Sequence, residues 1–192
     1  MTTSASELRF RNLRTLAALA ALFFMPLVAS FWLYYGMGWR PGGRINHGEL
    51  IQPPRPLPRV ATEPALFHGE WTLVYIGDGQ CDSACRETLY VMRQTRFALG
   101  TDMTRLAQVF LVTADCCAKE YLGREQAGIA VVDVTGAAAA PLLRLFPPGD
   151  KAHSVFIVDP LGNLMMRYDD VRRDPRGLLV DLKRLLELSQ IG

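Results

Sequence analysis

The longest apolar stretch of the chain lies near its N-terminus. From Thr15 to Trp39 no residue is charged, and as a helix this run is long enough to cross a hydrocarbon core of about 30 Å. Four aromatic residues between positions 31 and 35 fit an interfacial belt at the far end of the run. The pattern predicts a membrane-spanning helix over residues 15–39.

A cleaved signal peptide is the alternative interpretation of this segment. Three arginines precede the apolar run, and the small residues at 28–30 offer a cleavage site. The apolar run continues past that site, which favours a retained anchor. Three arginines before the span against two after it favour a cytoplasmic leader at residues 1–14 and export of everything after the span. In a Gram-negative bacterium the chain would be a single-pass inner-membrane protein with a periplasmic C-terminal domain.

The segment that follows the span differs in composition from the rest of the chain. Residues 40–64 hold six prolines and three glycines, which interrupt regular helices and strands. We expect residues 40–63 to be an extended, semi-rigid tether. Residues 64–192 then form the folded domain.

Within residues 64–192, short apolar runs alternate with segments of helical periodicity. The predicted strands are 71–76, 108–113, 129–134, 154–159 and 164–168, and the predicted helices are 86–99, an alanine-rich piece ending at 145, and 176–188. Pro160-Leu161-Gly162-Asn163 has the turn chemistry of a hairpin between the last two strands. The order predicts an α/β domain whose mixed sheet is flanked by helices on both faces. The helix between the first two strands predicts that they lie side by side and parallel.

Composition and charge exclude one class of function. The chain is 49% hydrophobic, and the apolar span explains the excess. The first forty residues hold four arginines and one glutamate, so the remainder has 17 basic and 18 acidic residues. A nearly neutral domain without a clustered basic face does not fit a nucleic-acid binder.

The chemistry-bearing motif is GDGQCDSACR, which places Cys81 and Cys85 directly after the strand at 71–76. A glycine-bounded loop at the carboxyl end of a strand is where α/β folds place active sites. Near the start of a helix, the unpaired N–H groups and the helix dipole favour a thiolate. Two such thiols can close a disulfide or hold a soft metal ion, and an exported location permits both. A purely structural disulfide remains the alternative.

Three motifs together resemble the Sco (SenC) family of membrane-anchored, thioredoxin-like proteins. They are Phe67-x-Gly69-x-Trp71 before a strand, Cys81-x-x-x-Cys85 before a helix, and His153-Ser154 at the start of SVFIVDPLGN. The resemblance covers about residues 60–190 and implies a thioredoxin-like fold. Relatives commonly carry proline after each cysteine, where this chain has Asp82 and Arg86.

The resemblance implies a function in maturing the copper site of cytochrome c oxidase. Carried over by position, Cys81 and Cys85 would be thiolate ligands of copper, and His153 would be the imidazole ligand. Two sulfurs suit Cu(I), and an added imidazole makes Cu(II) acceptable as well. The expected partner is the copper-bearing subunit of the oxidase or another exported copper or thiol protein.

The sequence is compatible with two other functions. In a thiol-disulfide oxidoreductase, Cys81 would be the more exposed, attacking thiolate and Cys85 the resolving one. A membrane-anchored assembly scaffold would use the pair only as a staple. The adjacent Cys116 and Cys117 predict a reduced pair or an accessory thiol site, because a disulfide between neighbours departs from the usual geometry. His47 and His68 have no evident partner.

Overall fold

The computed structural model describes residues 5–38, 45–59, 66–114, 119–147 and 154–189. The chain divides into two compact units, Met1–Arg44 and Ile45–Gly192.

The first unit is a long helix. Helix α1 covers Ala5–Phe31 and continues as a π-helical turn over Trp32–Gly36. Pro26 lies inside the helix. The segment Asn12–Gly36 is long and apolar enough to cross a membrane, and none of it is buried. This confirms one N-terminal candidate transmembrane helix, and a signal sequence can meet the same criteria of length and hydropathy.

The second unit is built on a six-stranded sheet. Its strands are β1 Glu49–Pro56, β2 Trp71–Gly77, β3 Leu106–Val112, β4 Ala130–Asp133, β5 Val155–Val158 and β6 Asn163–Tyr168. Its α-helices are α2 Ser83–Ala98, α3 Lys119–Glu125, α4 Ala140–Leu145 and α5 Pro175–Leu188. Short 3₁₀ turns cover Gly100–Arg105 and Ala137–Ala139. The strands lie in the order β1-β6-β5-β2-β3-β4, so β2 and β5 occupy the centre.

The pairing of the strands agrees with the sequence predictions. β2 and β3 are parallel neighbours, from Trp71 opposite Leu106 to Gly77 opposite Val112. β4 extends this parallel set, whereas β5 runs antiparallel to β2 and β6 antiparallel to β5. The Asp159 carboxylate stabilises the turn of the β5–β6 hairpin. It accepts from the backbone N–H groups of Leu161 and Asn163 at 3.0 and 2.7 Å.

The sheet separates two apolar layers, because successive side chains of a strand point to opposite faces. On one face, Leu73 and Tyr75 of β2 pack with buried residues of α2 and α5. On the other face, Val74 and Ile76 pack with Leu142 of α4 and neighbouring apolar residues. β2 is buried along its whole length. The loop at its carboxyl end is therefore carried on a fully buried strand of the domain.

The segment expected to be a tether contributes to the sheet. Residues 49–56 form β1, which pairs antiparallel with β6, and Ile51 is buried. Just beyond β1, the Leu57 N–H donates to the carbonyl of Gly162 at 2.8 Å. The extended conformation was expected, but the hydrogen bonding to the sheet was not. Prolines are accepted here because β1 is an edge strand, which needs ladder donors on one side only.

Candidate thiol and metal centre

The cysteine pair lies in the turn between β2 and α2. β2 ends at Gly77, and Asp78 shapes the loop by accepting from the Gln80 N–H at 2.7 Å. The Cys81 N–H donates to the Asp78 carbonyl at 3.3 Å. The loop therefore turns back tightly and places Cys81 just before the first turn of α2.

Cys81 and Cys85 form a disulfide, with 5.0 Å between their Cα atoms. Their exposed fractions are 2% and 3%, respectively. In the disulfide neither sulfur is the more accessible one, so a more exposed, attacking Cys81 in the reduced protein stays a prediction. Both residues belong to the apolar layer that contains Leu89 of α2, because the loop folds inward to close the bond. A partner thiol can reach either sulfur only after the loop moves.

Asp82 caps helix α2. Its carboxylate accepts from the Cys85 N–H at 2.9 Å, and its carbonyl accepts from the Arg86 N–H at 3.0 Å. We expected the helix N-terminus to favour a thiolate through unpaired N–H groups. The Asp82 carboxylate takes one of those groups and places a negative charge at the positive end of the helix. The electrostatic activation of Cys85 is therefore weaker than the sequence suggested.

Arg86 reaches back to the loop that holds Cys81. Its Nε donates to the Cys81 carbonyl at 3.2 Å, and its guanidinium carbon lies 5.0 Å from the ring centroid of Tyr121. The Tyr121 hydroxyl in turn accepts from Gln126 Nε2 at 3.1 Å. Sequence reasoning did not single out Arg86 as functional. Its only signal was its position directly after Cys85.

The charged rim beside α2 includes the segment 169–174. Arg172 donates to both carboxylate oxygens of Asp170, at 2.7 and 2.9 Å, and lies 3.6 Å from Glu87 on α2. The hydrogen bond from Arg172 lowers the pKa of Asp170, and the same bond raises the pKa of Arg172. This rim is a fixed network of charges rather than an independent site.

The third predicted metal ligand, His153, lies outside the described residues, as do Cys116 and Cys117. The described chain resumes at Ser154, which is buried, and Val155 lies opposite Tyr75 near the end of β2. Across the described ranges, no group of three or more His, Cys, Asp or Glu side chains could hold a metal ion. Cys81 and Cys85 are thus the two predicted site residues that the structure brings together.

The other histidines lie elsewhere. His47 contacts Asp181 of α5 through its backbone N–H at 2.8 Å and its Nδ1 at 3.2 Å, so it has a partner that the sequence did not reveal. His68 precedes β2, at the opposite end of that strand from the cysteine loop. Its Nδ1 is buried without a hydrogen-bond partner in the described part of the chain.

Comparison with known proteins assigns the domain to a family. The family described as transmembrane-like, thioredoxin-like, C-terminal domain matches residues 71–189. The chain belongs to this family. The match begins at the first residue of β2 and ends just beyond α5, so it contains both cysteines. A thioredoxin-like fold is thereby confirmed. No curated protein matches the chain significantly.

Solved structures of Sco proteins share this thioredoxin-like fold. Apo Sco1 from Thermus thermophilus matches at a TM-score of 0.55 and 15% identity, covering 75% of this chain and 99% of that one. Copper-bound yeast Sco1 matches at 0.50 and 18%, covering 64% and 82%. A SCO1/SenC family lipoprotein from Bacillus anthracis matches at 0.50 and 12%, covering 71% and 99%. At identities of 12–18%, the structural similarity shows that the fold is shared and shows nothing about function.

Proposed function

We propose that this protein is a membrane-anchored copper chaperone that helps to mature the copper site of a respiratory oxidase. The observation that carries the proposal is the placement of Cys81 and Cys85, with Cα atoms 5.0 Å apart at the carboxyl end of the central strand. The domain has the fold of Sco proteins, of which the yeast protein has been solved with copper bound. Copper would be the cargo of the protein.

The donor set fits this cargo. After two-electron reduction, Cys81 and Cys85 supply two soft sulfur ligands, which suit Cu(I). His153 is the proposed imidazole ligand that makes Cu(II) acceptable. In support, the next residue, Ser154, leads into β5, whose first residue, Val155, lies opposite Tyr75, two residues before the end of β2 that carries the cysteine loop. The apolar layer around the pair would shield the bound ion from water.

The proposed setting is the outer face of the inner membrane. Residues 1–14 would be cytoplasmic, α1 would anchor the chain, and the thioredoxin-like domain would be periplasmic. The recipient would be the copper-bearing subunit of cytochrome c oxidase or another exported copper or thiol protein. Ligand exchange between thiolates explains how an ion could pass between the two proteins without being released into water.

The experiment that tests copper uptake uses the full chain in mild detergent under reducing conditions. Competition with a chromogenic chelator measures Cu(I) affinity for wild type, Cys81→Ser, Cys85→Ser and the control Cys116→Ser/Cys117→Ser. We expect one tightly bound ion per wild-type chain and an affinity at least about tenfold lower in each site variant, because a hydroxyl is a poor ligand for a soft ion. The control should resemble wild type. Absence of stoichiometric binding by wild type would reject the proposal.

His153→Ala separates the two copper states. Two thiolates still hold Cu(I), so its affinity should fall only partly, whereas Cu(II) prefers additional nitrogen or oxygen donors and should bind far more weakly. Thiolate-to-Cu(II) absorption bands measure the second effect directly. The matched control is His68→Ala, because His68 lies at the opposite end of β2. An unchanged Cu(II) affinity in His153→Ala would remove His153 from the site.

The closed disulfide favours a second candidate function, thiol-disulfide exchange with exported partners. In this case His153→Ala should change the reduction rate of a model disulfide by no more than a few fold, because the histidine takes no part in the exchange. Cys81→Ser and Cys85→Ser should abolish turnover. A protein that neither binds copper nor exchanges disulfides would instead be an assembly scaffold with a structural staple.

A further inference from the structure

The backbone of Cys81 has an unusual conformation. Its φ is 48°, and no other non-glycine residue of the described ranges has a positive φ. Residues other than glycine rarely adopt this left-handed region, because their Cβ atom approaches the backbone carbonyl too closely. Cys81 therefore needs interactions that hold it there. The disulfide to Cys85 is one of them.

The side chain of Arg86 supplies another. Nε donates to the Cys81 carbonyl at 3.2 Å, while the guanidinium lies over the ring of Tyr121. Tyr121 belongs to α3, and Gln126 donates to its hydroxyl. We call Arg86, the ring of Tyr121 and the Cys81 carbonyl the Arg86 clamp. The clamp joins the cysteine loop to α2 and α3, and Cys81 and Tyr121 are 40 residues apart in the chain.

We infer that Arg86 is a positioning residue that sets the reduction potential of the Cys81–Cys85 pair by holding Cys81 in the conformation that closes the disulfide. This inference rests on the proposed thiol chemistry of that pair. Arg86 thereby controls the fraction of the protein that is in the dithiol form. Only this form can bind copper or attack a partner disulfide.

The redox step is an exchange with a dithiol reductant. A reductant thiolate attacks one sulfur of the disulfide, and a mixed disulfide forms as the Cys81–Cys85 bond breaks. The second reductant thiolate displaces the remaining cysteine. The pair gains two electrons and two protons and leaves as two thiols, and the reductant leaves as a disulfide. In the dithiol, the sulfurs no longer hold Cys81, so its backbone can relax out of the left-handed region.

The sign of the effect follows from this difference between the two states. The hydrogen bond from Nε stabilises the closed loop more than the relaxed one, so its loss favours the dithiol and raises the reduction potential. One such hydrogen bond is worth about a fivefold change in an equilibrium constant. For a two-electron couple this corresponds to a rise of about 20 mV.

The charge of Arg86 would act in the opposite direction. A guanidinium beside a thiolate stabilises the reduced protein, so its removal would lower the potential. Three substitutions separate the two effects. Arg86→Gln keeps an N–H at the position of Nε without the charge, Arg86→Lys keeps a charge but has a methylene there, and Arg86→Met has neither.

The experiment is a redox equilibration of the full chain in mild detergent, in a Cys116→Ser/Cys117→Ser background. Samples are equilibrated with reduced and oxidised dithiothreitol, and the thiol fraction is measured by alkylation and gel shift. We expect the potential to rise by about 20 mV in Arg86→Lys and Arg86→Met and to remain near the wild-type value in Arg86→Gln. Tyr121→Phe is the matched control: it keeps the ring under the guanidinium and removes only the hydroxyl, whose long bond to the Arg86 carbonyl at 3.5 Å does not involve Nε. It should also resemble wild type.

Other outcomes overturn the inference. Equal potentials in all four proteins would show that the clamp does not affect the couple, and a lower potential in Arg86→Gln and Arg86→Met, with Arg86→Lys unchanged, would show that charge dominates. Thermal stability is measured on the same variants. An equal loss of stability in Arg86→Gln and Arg86→Met would indicate that Arg86 has a merely structural role. Copper binding is measured separately on wild type. If the protein did not bind copper, the reduction potentials would still test the role of Arg86. If the potentials did not change, the copper proposal would still stand or fall on its own measurement.

Discussion

At the residue scale, the two positions that follow the cysteines hold the start of α2 through hydrogen bonds. Asp82 caps α2 through the Cys85 N–H, and the Arg86 N–H donates to the Asp82 carbonyl. Proline at 86 could not make that bond, because it has no N–H. This turn is therefore held by one bond to the Asp82 side chain and by one backbone bond that any residue except proline at position 86 could make.

The cap at Asp82 leads to a stability prediction. Asp82→Ala removes the acceptor for the Cys85 N–H and should lower the free energy of unfolding by about 1 kcal/mol. Asp82→Asn is the matched control, because asparagine is an equally good cap, and it should stay near wild type. Urea unfolding of the oxidised full chain in mild detergent measures both. Equal losses in the two variants would mean that charge, not capping, is what Asp82 contributes.

Gly77 is required by the space around it. A Cβ added there would lie 2.9 Å from the Tyr75 hydroxyl and 3.0 Å from its ring, and that ring is buried against Phe110 with centroids 5.1 Å apart. Gly77→Ala should therefore destabilise the domain by about 1–3 kcal/mol through overpacking. Gly123 is the matched control: it lies in α3 with open space around it.

We expect Gly123→Ala to be neutral or to stabilise the domain by up to about 1 kcal/mol, because alanine has the higher helix propensity. Thermal unfolding of the two alanine variants, followed by circular dichroism, measures the contrast. If Gly77→Ala matched Gly123→Ala, the tyrosine ring would have enough freedom to move away.

At the element scale, one buried carboxylate fastens the segment before β1 to the domain. Asp181 of α5 accepts from the N–H groups of His47 and Gly48 at 2.8 and 3.0 Å, and from the Tyr168 hydroxyl of β6 at 2.6 Å. Burial raises the pKa of Asp181, but these donors together outweigh it and leave its pKa below the usual range. Burial, followed by the bond to Asp181, raises the pKa of Tyr168, which stays protonated.

This network predicts a pH dependence. A carboxyl group whose pKa is lower in the folded protein stabilises it above the unfolded pKa of about 3.9, and that contribution is lost as the pH falls through the folded pKa. Asp181→Asn should lower the free energy of unfolding by about 2 kcal/mol at neutral pH, because it removes a buried charge from its donors. The difference from wild type should shrink below about pH 4.

Urea unfolding of both proteins at a series of pH values measures this effect. Tyr168→Phe is the companion variant, because it removes one donor and leaves the titrating group in place. It should cost about 1 kcal/mol near neutral pH. A constant difference between wild type and Asp181→Asn from pH 7 down to pH 3 would contradict the assignment.

At the scale of the whole molecule, the apolar helix predicts membrane retention. We expect the mature protein to stay in the membrane pellet after carbonate extraction, because a span of this length inserts far more stably than a peripheral contact. The C-terminal domain should be digested by protease added to spheroplasts, since the arginines before the span favour a cytoplasmic N-terminus. Release of a shortened, soluble chain would identify residues 1–30 as a signal peptide.

Much of the fold was predictable because its signals are local. β2 and β3 are short apolar runs buried on both faces, and the helical periodicity between them implies the parallel crossover that the structure has. The Pro160–Asn163 turn predicts the β5–β6 hairpin for the same reason. α2 begins three residues earlier than predicted because Asp82 caps it, and capping depends on a backbone geometry that periodicity does not report.

The edge strand β1 was not predictable from its own residues. Its prolines argue against a strand, and only the available edge of β6 makes an extended, proline-rich segment part of the sheet. The Arg86 clamp and the Asp181 network depend in the same way on residues far apart in sequence. The sequence alone therefore determined the apolar helix, the order of the central elements and the cysteine pair, since the signal for each lies in residues that are neighbours in the chain. Tertiary structure alone decided the burial of both sulfurs, the conformation of Cys81 and the partners of Arg86 and Asp181, because these arise from contacts that form only when distant segments meet.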